Sequence, residues 1–142
     1  MIQRIQTLYL LLAGAFLMLM HAIPFGVLTG GETASGIMLA DHQELVWVHA
    51  LIALVAIISI FLFKNRRLQI RLIRLASIAL VLFLASLFLI IYQHRQALPE
   101  GQGLELGLGA VLPVVSMLML MLAARAVRKD ERLVASSERL RG

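Results

Sequence analysis

Residues 45–92 read LVWVHALIALVAIISIFLFKNRRLQIRLIRLASIALVLFLASLFLIIY, and the division of that stretch decides the fold. Leu45 to Phe63 holds no Asp, Glu, Lys or Arg in 19 positions. At about 1.5 Å of rise per residue, a helix of that length nearly crosses a ~30 Å hydrocarbon core. Lys64-Asn65-Arg66-Arg67 stops it sharply, and a second apolar run follows over 70–92. So few residues join the two runs that they must form a helical hairpin turning on a basic tip.

Working outward, a third apolar run, Ile5 to Ile23, carries no Asp, Glu, Lys or Arg and ends at Pro24-Phe25-Gly26. Arg4 ahead of it fits the charged start of a secretory signal peptide, but the apolar stretch exceeds an h-region of roughly 7–15 residues and no small-x-small cleavage site follows. It reads as a retained anchor. The fourth run, Leu106 to Ala124, begins among Gly101, Gly103, Gly107 and Gly109 and contains Pro113, helix breakers tolerated in membrane helices whose neighbours satisfy the freed carbonyl. The expected fold is therefore an all-α membrane protein of four transmembrane helices, at about 5–23, 45–63, 70–92 and 106–124, in two antiparallel hairpins. Residues 1–126 form the transmembrane domain and 127–142 a basic amphipathic tail.

Composition agrees, because 142 residues that are 61% hydrophobic, with a mean hydropathy of +0.91, carry too few polar side chains to cover a soluble domain. A formal charge of +5 would raise nucleic acid as a partner for a soluble protein. In a membrane chain it reports topology instead. Arg4, the cluster from Lys64 to Arg74 and the cluster from Arg125 to Arg141 fall on one side of the runs and leave only Arg95 on the other, with Glu32, Asp41, Glu44, Glu100 and Glu105. The positive-inside rule then places both termini and the central turn in the cytoplasm, and segments 24–44 and 93–105 outside. Trp47 and Tyr92 sit at the outer edge, where an aromatic belt lies. Arg66, Arg67, Arg71 and Arg74 are expected at lipid headgroups on the inner edge.

The absence of cysteine excludes disulfides, thiolate metal sites and a cysteine nucleophile. No run has a charge near its centre, which argues against a proton-coupled transporter built on a buried carboxylate. The histidines are the one uneven feature: His21, His42, His49 and His94 all map to the outer half or outer loops. His21, His49 and His94 are candidate ligands for haem b or a metal ion, or else interfacial histidines bonded to water, headgroups or loop carbonyls. Ser59, Ser77, Ser86 and Ser116 are expected to bond to their own or a neighbouring backbone. Gly14, within Ala13-Gly14-Ala15, and Gly103 with Gly107 as a G-x-x-x-G read as helix-packing positions. In the outer loop, Gly30-Gly31 marks a turn and Ile37-Met38-Leu39 an interfacial dip. The tail reads as a continuing helix with an apolar seam through Ala126, Leu133 and Leu140, flanked by arginines and suited either to a membrane surface or to a partner protein.

The opening MIQRIQTLYLLL (residues 1–12) resembles the start of a family of small four-helix membrane proteins typical of Bacteroidota, classed as a domain of unknown function. The ending DERLVASSERLR (residues 130–141) is similar to that family's D-x-x-L-V-x-S-x-D-R-L-R, with Ala135 where a basic residue is expected and Glu138 in place of aspartate. The resemblance covers the full chain, is sharp only at its ends, and implies no activity and no catalytic residues. It does draw attention to Arg132, Leu133, Arg139, Leu140 and Arg141, which a partner could read. The expectation is a non-catalytic accessory subunit of a larger bacterial inner-membrane complex of respiratory, secretion or translocation type, in contact with lipid and other membrane subunits and with no resident cofactor. A haem- or metal-binding redox protein is the alternative, and a small transporter the third.

Overall fold

The computed structural model describes residues 2–30 and 35–139, with side chains placed over 5–30 and 35–136. Arg4's side chain, Gly31, Glu32 and Glu138's side chain lie outside these. Four helices carry the fold: α1 (Ile2–Leu19), α2 (Gln43–Phe61), α3 (Arg66–Ala97) and α4 (Leu112–Arg139). Each helix packs on its neighbour in sequence, and α1 packs on α4, so the four close into a ring. The core is a continuous file of apolar side chains including Leu10, Leu17, Ile52, Ile73, Leu80, Phe83 and Leu120. The opposite faces show Leu51, Leu54, Ile78, Leu82, Phe88 and Leu118 to the surroundings. Three helical segments, Gln43–Phe61, Arg66–Ala97 and Leu108–Ser136, are long and apolar enough to cross a membrane, and Ile5–Leu19 is a shorter apolar helix. Beyond Leu19, α1 tightens: the amides of Met20, His21 and Ala22 donate to the carbonyls of Leu17, Met18 and Leu19, three residues back.

The helix ends differ from the sequence expectation for identifiable reasons. Asn65 caps α3, its Oδ1 accepting from the Leu68 amide at 3.2 Å, so the helix starts inside the basic turn rather than at residue 70. The Gln69 side chain donates to the Ser59 carbonyl at 2.9 Å, satisfying a group near the end of α2 and stapling the turn. At its other end α3 runs to Ala97 rather than 92. α4 starts at Leu112 rather than 106, because 103–106 is a strand and Leu108–Ala110 a 3-10 turn. Pro113 therefore lies in the first turn of α4, where its missing N–H costs no helical bond, and is not an interior breaker.

The two loops at the end remote from the basic turn join in a three-stranded antiparallel sheet that sequence reasoning did not foresee. Its strands are β1 (Gly26–Thr29), β2 (Ser35–Ile37) and β3 (Gly103–Leu106), in the order β2-β1-β3. Gly26 pairs with Ile37 on one side and Leu106 on the other. Ile37 and Leu39, expected to dip into the interface, are buried in the core with Phe25. Gly103 and Gly107 are corrected likewise: neither packs helices. Gly103 pairs with Thr29 in the sheet. Gly107 donates to the Phe25 carbonyl at 2.9 Å, and a Cβ on it would clash with the Pro24 carbonyl oxygen. Gly14 does lie at a helix contact, 3.4 Å from Ile57 for an added Cβ.

Candidate functional site

Two groups of polar side chains stand out, one at each end of the bundle. Under the sheet, the short turn Leu39–Asp41, held by the Met38 amide donating to Asp41 Oδ2 at 2.9 Å, sets His42 at the N-cap of α2. His49 follows seven residues on, along the same helix face. The ring of His49 is fully buried and meets the His21 ring edge-on, with centroids 4.8 Å apart, and tilts against Phe83 at 5.4 Å. His94, whose Nδ1 lies 3.0 Å from the Ile90 carbonyl, pairs instead with His42, again edge-on at 5.5 Å.

Of the three histidines singled out by sequence, the structure brings together His21 and His49 and couples His94 to a different partner. His42 was the missed member, although its spacing from His49 was a legible signal. Neither ring nitrogen of His49 makes a well-formed hydrogen bond. With metal–nitrogen bonds of about 2 Å, two imidazoles on opposite sides of a haem iron must stand further apart than rings in edge contact. The His21–His49 geometry suits a small ion better than a macrocycle, yet no group of three potential metal ligands forms among the described residues. Trp47 and Tyr92 are exposed on the surface at this end.

Between the ends, Ser59, Ser77 and Ser86 donate to carbonyls four residues back in their own helices. Ser116 instead donates across from α4 to the Ala13 carbonyl of α1 at 3.1 Å, beside Gly14. This bond needs the close backbone approach that small residues allow.

At the opposite end, Arg66 is not free for headgroups but pairs with Asp130 of α4 at 2.8 Å, with side-chain exposures of 23% and 13%. Arg67, Arg71 and Arg74 are exposed. α4 runs unbroken through the expected start of the tail at 127 and continues for nine residues past Asp130, to Arg139. Arg132 and Leu133 are exposed on it, Leu133 at 46%. The Arg139 side chain, Leu140 and Arg141 lie outside the described residues. A groove of about 490 Å³ along α4 is lined by Arg125, Arg128, Lys129, Arg132, Leu133 and Ser136. A second, of about 400 Å³ between α3 and α4, is lined by Ile70, Arg74, Arg128, Glu131, Arg132 and Ala135.

Compared with known proteins, the chain matches over residues 2–140 a family model described as a domain of unknown function, DUF4293. No curated protein matches it.

Proposed function

The chain belongs to the DUF4293 family, and from that premise we propose that it is a non-catalytic accessory subunit of a larger bacterial inner-membrane complex. In this reading α1 to α4 cross the membrane as two antiparallel hairpins with both termini cytoplasmic, as the charge distribution favours. One observation carries the role. Beyond the Arg66–Asp130 pair at the base of the bundle, α4 projects for nine residues, about 13 Å at 1.5 Å per residue. On that segment Leu133 is exposed beside Arg132 and shares a groove with Arg128 and Lys129. A rigid helical arm with an apolar residue set among cations fits helix-in-groove docking onto an acidic partner surface.

The test is purification of the tagged chain from its native membrane in a gentle detergent, with and without residues 131–142. Large proteins that copurify stoichiometrically with the full chain and vanish with the deletion support docking through the arm. Unchanged copurification overturns it.

A second reading rests on His49, buried against His21 with neither ring nitrogen in a well-formed hydrogen bond: a metal ion shared by the two imidazoles near the outer surface. Metal content and visible spectrum of the wild type against His49→Ala decide it, since identical values for the two proteins dispose of the idea.

A further inference from the structure

Along α4, Val114, Leu118, Met121, Arg125, Arg128 and Arg132 follow one another at alternating steps of four and three, so they form one stripe on one face of the helix. All six are exposed. The stripe is apolar as far as Met121, at 41–48% exposure, and basic from Arg125 onward.

The basic half is crowded. Arg125, Arg128, Lys129 and Arg132 line a single groove that no acidic residue lines. Arg128 and Arg132 also border the groove that Arg74 enters from α3, where Glu131 is the one acid. None of these five cations forms an ion pair with another described residue, whereas Arg66 nearby does. Like charges three and four residues apart repel along a helix, so the arrangement calls for an anion from outside the chain.

We propose that Arg74, Arg128 and Arg132, flanked by Arg125 and Lys129, bind the phosphate of an anionic phospholipid headgroup, whose acyl chains run along Met121, Leu118 and Val114. Guanidinium forks match phosphate oxygens in pairs, so arginine is well suited to such a site. Basic pockets between membrane helices hold lipid phosphates in the same manner. The apolar half of the stripe selects a lipid over a soluble phosphate: it lies inside the candidate span Leu108–Ser136 and continues directly from the cations. The site rests on the same membrane placement as the proposed function and shares Arg128, Lys129 and Arg132 with the docking arm, but it needs no protein partner, so nanodiscs that hold only this chain and lipid test it separately.

The test uses the whole chain reconstituted in nanodiscs of phosphatidylethanolamine, alone or with phosphatidylglycerol. Lipid retained after detergent extraction is counted by native mass spectrometry, and thermal midpoints are recorded with and without inorganic phosphate. Phosphatidylglycerol should remain bound in preference to phosphatidylethanolamine and raise the midpoint. Arg128→Gln with Arg132→Gln should reduce that retention by about thirtyfold, at about fivefold per charge removed near the surface. Lys64→Gln with Arg95→Gln, which removes the same charge at two exposed positions outside the site, should leave most of it.

Equal retention in the two double variants overturns the site, and so does equal stabilisation by inorganic phosphate, which would mark a soluble-anion site. Photo-crosslinking from position 128 in native membranes to a stoichiometric protein instead of lipid also overturns it. Should the Arg128/Arg132 variant misfold, the wild type decides alone, because no preference for phosphatidylglycerol ends the proposal.

Discussion

Asp130 lies in a charge-rich stretch that reads as solvated surface, yet it is 9% exposed and holds Arg66 at the first turn of α3. Removing it by Asp130→Ala leaves a half-buried guanidinium without its partner and should lower stability by about 1–2 kcal/mol, between the values for exposed and buried pairs. The thermal midpoint in detergent measures this, and replacing both partners with apolar residues, Arg66→Met with Asp130→Leu, should recover part of the loss. Two glycines make a sharper contrast. Gly107→Ala places a Cβ against the Pro24 carbonyl, with fixed backbone on both sides, and should cost roughly 2 kcal/mol or more. Gly14→Ala meets only the Ile57 side chain at ordinary contact distance and should be near neutral by the same measurement. Ser116→Ala loses one bond between helices and should cost about 0.6 kcal/mol.

At the scale of elements, the apolar runs were legible because lipid-length hydrophobicity leaves few alternatives, and α2 falls within two residues of its expected bounds. The ends of α3 and α4 were not. Asn65 extends α3 backward through a local cap, and Pro113 reads as a breaker until strand 103–106 shows that the helix begins beside it. The sheet escaped notice because its strands are three or four residues long and rich in glycine, and β1 meets β3 across more than seventy intervening residues. Periodicity cannot register such a pairing. The histidines were legible as a group because they fall at the same ends of the apolar runs, but their partition into two pairs depends on how α1 and α3 sit around α2. Hydrogen exchange checks the sheet directly: the amides of Phe25, Gly107 and Gly109, bonded to Ile37, Phe25 and Pro24, should be protected, and Gly107→Ala should release all three together.

For the whole molecule, the proposed topology rests on where the charges fall around a closed ring of helices. The chain has no cysteine, so single-cysteine variants report without background. With both termini cytoplasmic, Glu100→Cys should react with a membrane-impermeant maleimide on intact spheroplasts, and Lys129→Cys only after permeabilisation. The reverse pattern would show that the protein sits upside down. The sheet, too, has a meaning at this scale. Its middle strand follows the first helix, whereas its last strand is made only when the third helix is already complete. During synthesis β1 and β2 therefore wait with an open edge, and the cap closes when the second half of the chain arrives. A chain cut short before residue 103 would lack β3 and leave that edge of β1 unpaired.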